Sequence, residues 1–369
     1  MACQKPAEEG TNMITLRKSR IAAFGAVLGA IGLAAGSGSA AAADFYKDKT
    51  LTILLGHTPG GSYDLYAQLA ARHMGQYIPG KPNIIVQHRP GGGGGKAGVY
   101  FFSKAPRDGT MLALLPETMA HTQLLDPKRG RWDMGKVNYI GSFAYANPAF
   151  GVRKETGITS PDELTQKSLN VGCTGRTSQS SQMPAVIKNM TPAKFNMICG
   201  YRGSGPFMLA LERGEVDAIF MNWATWKAKR MDDIKSGKYK ILMQAGLKRS
   251  PDLKDVPLVQ ETKLGDEKFK KVMTFMAGGA PIGRALFGAP GMPKDRVEIL
   301  RAAFDKMAKD KAFLEDAAKR KGLIDPVSGA ELDKYNQEIL KTPKDIVEAA
   351  AKGFGGYKKA CKNCGGKKK

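Results

Sequence analysis

Histidine is scarce in this chain and acidic residues are outnumbered by basic ones, and each shortage narrows what the protein does. The four histidines, His57, His73, His88 and His121, fall in no HExxH or other metal-binding spacing, and no GxSxG turn accompanies them. A zincin helix and a hydrolase nucleophile elbow are thereby excluded, and neither a metal nor a cofactor is expected. Zinc-finger spacings and the aromatic-basic motifs of RNA-binding domains are missing as well, so no nucleic-acid partner is expected. Beyond residue 43 there is no run of roughly 20 apolar residues of the kind that crosses a bilayer. The charge that is present leans one way: 57 Lys and Arg against 34 Asp and Glu give a net +23, which favours anionic ligands.

The N-terminal segment has the layout of a secretory signal. Arg17, Lys18 and Arg20 precede an apolar stretch from Ile21 to Ala35, and small residues follow to Ala43, where a cut is expected. An exported protein makes disulfides available. Cys173 and Cys199 each fall near the end of an expected strand and are read either as a disulfide or as two buried thiols. Cys361 and Cys364 have CxxC spacing but stand in a Lys/Gly-rich tail, away from the strand-to-helix turn a redox pair needs. That pair alone also lacks the other two ligands zinc wants.

The length left after residue 43 suggests two domains. Apolar strand-like runs at 51–56, 83–88, 111–115 and 139–143 alternate with helix patterns, and a second such unit runs through 169–173, 195–199, 216–220 and 239–244. This predicts an α/β protein with mostly parallel sheets covered on both faces. Between 274 and 290 the chain is Gly-rich and apolar, which suits a return to the first sheet. From Pro293 onward it is helical, with Val297, Leu300, Phe304 and Met307 on one stripe.

Three loops carry the functional signal. Pro59-Gly60-Gly61-Ser62-Tyr63-Asp64 follows a strand and opens a helix, where free N–H groups and partial positive charge suit a carboxylate or phosphate. Asp64 is also placed to cap that turn. Gly172-Cys173-Thr174-Gly175-Arg176-Thr177-Ser178 repeats the logic in the second unit, and Tyr201-Arg202-Gly203-Ser204-Gly205 is a third strand-to-helix turn. Gly91 to Gly95, followed by Lys96, fails as a phosphate loop because Ala97 stands where a magnesium-binding hydroxyl would be. It reads instead as a turn that permits close packing. Asn222, just past a strand, sits where an open sheet presents its carboxyl ends.

In order and spacing these segments resemble the substrate-binding proteins of tripartite tricarboxylate transporters, the Bug family of periplasmic receptors. The matching stretches are PGGSYD (59–64), RPGGGGG (89–95) with DGT (108–110), GCTGRTS (172–178), YRGSG (201–205) with GEVD (214–217), DVP (255–257) and APGMP (289–293). The resemblance implies a two-domain periplasmic-binding-protein fold, with 44–147 and 273–357 as the first domain, 148–272 as the second and 358–369 as a basic tail. It implies a small organic anion, a mono-, di- or tricarboxylate, held between the domains and passed to membrane transporter subunits without chemistry. A ligand sensor of the same fold and a two-domain α/β enzyme are the alternatives. Carried over by motif, the ligand contacts are Gly60, Gly61, Ser62 and Asp64 from one domain and Thr174, Gly175, Thr177 and Ser178 from the other, with Tyr201 and Asn222 beside them. Tyr63 and Arg176 depart from the family pattern and are the expected seats of specificity, suited to an aromatic or longer dicarboxylate.

Overall fold

The computed structural model describes residues 45–355. The expected signal segment and the tail with Cys361 and Cys364 lie outside the described residues. The chain builds two sheets. The first has six strands in the order β11-β4-β10-β3-β1-β2, and the second has five, β7-β6-β8-β5-β9. The strands of the first are β1 (Thr50–Leu55), β2 (Asn83–His88), β3 (Met111–Leu114), β4 (Asn138–Ser142), β10 (Ala285–Gly288) and β11 (Val327–Ser328). Those of the second are β5 (Pro148–Arg153), β6 (Leu169–Cys173), β7 (Phe195–Cys199), β8 (Ala218–Asn222) and β9 (Tyr239–Gln244). None of the described helices is long and apolar enough to cross a membrane.

The expectation of α/β layers holds, but both sheets are mixed. β1 runs parallel to β2 and β3, and β6 parallel to β7 and β8, as strand-helix-strand units require. The strands placed where the chain passes between sheets break the rule. β5 lies antiparallel between β8 and β9, and β10 antiparallel between β3 and β4. Each enters its sheet from the opposite end, because it arrives from the other lobe rather than over a covering helix.

Burial explains why these runs are strands. In β1, Leu51, Ile53 and Leu55 are buried in one apolar cluster with Tyr66, Leu69 and Phe304, while Leu54 points to the other face and joins a second cluster with Phe101 and Ala113. A strand covered on both faces reads as a continuous apolar run. The second cluster continues into the other lobe through Phe150, Val171 and Phe220. A third, around Phe207, Leu211 and Trp226, covers the remaining face of the second sheet.

Four helices matter for the site: α1 (Ser62–His73), α4 (Gln179–Met190), α5 (Ser204–Glu212) and α6 (Trp223–Lys235), the intervening α2 and α3 being Gly95–Lys104 and Met119–Leu125. After α7 (Glu267–Ala277), which spans the expected boundary at residue 272, come α8 (Lys294–Met307), α9 (Lys311–Lys319), α10 (Gly329–Leu340) and α11 (Lys344–Gly355). α11 packs on α3, α4 and α7, and Asn189 Nδ2 donates to the Gly353 carbonyl at 2.5 Å. The last helix therefore straps the first sheet's lobe to the second's.

Candidate functional site

A pocket of about 70 Å³ lies between the two sheets, where the carboxyl ends of β1, β6 and β8 meet. Four helix N-termini converge on it. Gly61 and Ser62 open α1, Ser178 to Ser180 open α4, Ser204 opens α5, and Asn222 and Thr225 stand at the start of α6, all of them lining the pocket. Each start leaves backbone N–H groups without intrahelical partners and carries about half a unit of positive charge. Some of these donors are capped from within. Ser178 Oγ accepts from the Ser180 N–H, and Asn222 Oδ1 accepts from the Ala224 N–H at 3.0 Å. Ser180 Oγ accepts the Thr174 N–H at 3.1 Å and lies 2.9 Å from Thr174 Oγ1, which ties the second-lobe loop to α4.

The formal charges in the pocket cancel. Arg284 and Glu117 are both buried, and Arg284 Nη1 donates to Glu117 Oε2 at 2.8 Å. Arg284 Nε donates to Ser62 Oγ at 3.0 Å, and the guanidinium lies 4.0 Å over the Tyr63 ring. The Tyr63 hydroxyl donates to Glu117. Burial pushes the Tyr63 phenol well above its ordinary range, with the Arg284 charge opposing it. Burial pulls the Arg284 guanidinium down, but Tyr63 and Glu117 outweigh it and hold the group above its usual value. His57 stacks on Tyr63, with ring centroids 4.2 Å apart. Burial first and the Arg284 charge second lower the His57 imidazole from 6.5 to about 3, so it is neutral at pH 7.

The lobes touch around this pocket. Thr177 donates from its N–H to the Gly92 carbonyl at 3.3 Å and from Oγ1 to the Gly93 carbonyl at 3.0 Å, and the Thr118 hydroxyl donates to the Thr177 carbonyl. Gly92, Gly93 and Gly94 have φ of 65°, 73° and 95°, so the glycine run reaches a backbone shape that side chains resist. A methyl on Gly93 would sit 2.7 Å from the Gly175 carbonyl oxygen. On the other side, a methyl on Gly61 would sit 2.7 Å from Ser204 Oγ. The run at 91–95 is thus a close-packing turn, and its partner is the opposite lobe.

Of the residues expected from sequence, Gly61, Ser62, Tyr63, Thr174, Ser178 and Asn222 line the pocket. Gly60 and Asp64 do not. Asp64 Oδ2 accepts the Gly60 N–H at 2.8 Å and Oδ1 meets His88 Nε2 at 3.2 Å, so this carboxylate shapes the turn. Gly175, Arg176, Thr177 and Tyr201 line a wider neighbouring chamber instead. Tyr63 and Arg176, the expected seats of specificity, are both engaged within the protein. Arg176 Nε donates to Asp126 at 2.8 Å and its guanidinium lies 4.2 Å over the Phe354 ring. Sequence reasoning missed Glu117, Arg284, His57, Ser180 and Ser204. For Ser204 the signal was present, since the YRGSG turn had been recognised. Cys173 and Cys199, adjacent across β6 and β7, form a disulfide.

The fold and the pocket define a two-lobed binding protein with a ligand cleft at the carboxyl ends of its strands. A family model described as the tripartite tricarboxylate transporter family receptor matches residues 67–351, and the chain belongs to that family. It is 26% identical over 338 residues to a protein encoded in the gbd 5' region of Cupriavidus necator, covering 89% of this chain and 95% of that one. Among solved structures, MatC from Rhodopseudomonas palustris with bound malate superposes with a TM-score of 0.65 at 20% identity, covering 81% of this chain and 99% of that one. An R. palustris protein with adipate gives 0.63 at 20% identity, covering 82% and 97%. These likenesses show the fold. The family is one of solute receptors rather than enzymes.

Proposed function

We propose that the protein is a periplasmic receptor that captures a small organic carboxylate between its lobes and delivers it, chemically unchanged, to the membrane subunits of a tripartite transporter. The observation that carries this reading is the meeting of four helix N-termini at a pocket in which the buried ion pair Arg284–Glu117 neutralises itself. Such a pocket attracts an anion through fixed dipoles and hydrogen-bond donors, with no side-chain counter-ion to reorganise. Relatives of the same fold hold malate and adipate, which fits a carboxylate ligand. The lobes are read as 44–147 with 273–357 and as 148–272, a division that the distribution of the described strands between the two sheets supports. Ligand bound between them stabilises the closed arrangement by hinge closure.

A thermal-shift series with malate, adipate and other carboxylates tests the reading. A ligand at a hundred times its dissociation constant adds about 2.7 kcal/mol of stability. Ser204→Ala removes one pocket hydroxyl at the start of α5 and is expected to weaken binding by about fivefold, the worth of one hydrogen bond. No shift with any carboxylate, or equal affinity in the Ser204→Ala variant, would overturn it.

A further inference from the structure

The cleft does not end at the narrow pocket. Beyond His57 and Thr174, which line both spaces, it opens into a chamber of about 1020 Å³. Its walls come from both lobes: the loops after β1, β2, β6 and β7, one face of α2, and the segment after α3. Arg89, Lys96, Lys128, Arg131, Arg176 and Arg202 are among the lining residues, and no Asp or Glu of the described residues lines it. Several of these cations are held in position. Arg89 lies 4.2 Å over the Tyr100 ring, Arg131 Nε donates to the Lys128 carbonyl at 3.0 Å, and Arg176 is braced by Asp126 from outside the chamber wall.

Like charges gathered on a concave wall repel one another and concentrate anions in the space they enclose. A short carboxylate seated in the narrow pocket brings no anion to that wall, where Asp126 answers Arg176. The chamber is also at the upper end of the size of small-molecule sites, roughly 300–1,000 Å³. Guanidinium groups present paired N–H donors that match carboxylate and phosphate oxygens alike.

We propose that this chamber is a second anion site of the cleft, which takes a charge-dense phosphonate or phosphate group carried by the same ligand whose carboxylate the narrow pocket holds. The inference rests on the receptor reading above. It assigns two differently built seats to one ligand: a dipolar seat for the carboxylate and a cationic seat for the rest.

Three matched probes test it by calorimetry on the exported chain: succinate, tricarballylate, which adds a carboxylate arm, and 3-phosphonopropionate, which replaces one carboxylate by phosphonate. 3-Phosphonopropionate is expected to bind at least tenfold tighter than succinate, and tricarballylate to fall short of it. The gain is expected to shrink steeply with added salt. Lys128→Gln/Arg131→Gln, at exposed positions, is expected to abolish the gain while leaving succinate affinity within twofold. If 3-phosphonopropionate binds within twofold of succinate or no tighter than tricarballylate, or if the double variant leaves the gain intact or weakens all three alike, the second site is overturned while the receptor reading stands. If none of the three binds to folded protein while other carboxylates shift its melting, the second site alone is overturned; if no carboxylate shifts it, the receptor reading falls and this inference falls with it.

Discussion

The narrow pocket and the wide chamber share His57 and Thr174, yet they attract anions by different means. In the narrow pocket the positive potential belongs to backbone N–H groups at four helix starts, while the one guanidinium is cancelled by Glu117. In the chamber it belongs to Arg and Lys side chains, most of them on loops and some on α2. Backbone dipoles are fixed by the fold, so they bind without reorganising, and burial protects them from salt. Side-chain cations reach further and adapt to ligand shape, but salt screens them. One cleft can therefore pair a constant recognition element with an adaptable one.

The largest effect expected from breaking this contrast lies at the buried pair. Arg284→Met leaves Glu117 buried and unpaired and turns the narrow pocket anionic. It is expected to cost about 3–5 kcal/mol in urea unfolding and to abolish carboxylate binding. Adding Glu117→Gln to that variant is expected to restore most of the stability. A loss under about 1 kcal/mol in the single variant would show that the pair does not set the pocket's neutrality.

Acid is expected to act next in size. The unfolded chain protonates its imidazoles near 6.5, whereas the folded chain resists until about 3 at His57 and about 4 at His121, in both cases mainly through burial. Between those values the unfolded state binds more protons, so folded stability falls as pH drops below 6.5. Each histidine contributes up to about 1.4 kcal/mol per pH unit to that slope. His121→Gln is expected to flatten the slope measured by chemical denaturation at stepped pH. An unchanged slope would place the acid sensitivity elsewhere.

The smallest effect concerns the contact that both halves of the cleft share. Thr177→Val removes the hydroxyl bond to the glycine run and is expected to cost about 1 kcal/mol of closure. Because both halves depend on closure, it is expected to weaken a narrow-pocket ligand and a chamber ligand by the same factor. Unequal weakening, read by calorimetry, would mean that the two halves close independently.

What could be read from the sequence follows from how local each feature is. The PGGSYD and GCTGRTS loops were legible because a strand, a Gly/hydroxyl turn and a helix start are neighbours in the chain. Their assignment to one cleft came from the order of motifs rather than from any single one. Glu117 and Arg284 were not legible, since they stand 167 residues apart and meet only because β10 inserts antiparallel between β3 and β4. The same insertion hid β10 itself, a four-residue strand buried on both faces with no alternation to betray it. Asp64 is legible from sequence both as a ligand contact and as a cap, and the His88 contact that supports the cap comes from the neighbouring strand. The glycine run was read correctly as a turn for close packing, but nothing near it in sequence names Gly175 and Thr177 as what it packs against.

The bond between Cys173 and Cys199 joins the last residues of two adjacent strands. The residue after one, Thr174, lines both halves of the cleft, and the residues after the other, Gly200 and Tyr201, line the chamber. This cross-link couples the second lobe's share of both seats into a single rigid wall, so neither loop can drift without carrying the other. It also makes the finished wall a product of an oxidising compartment. Protein made under reducing conditions would carry the same residues on two untethered loops.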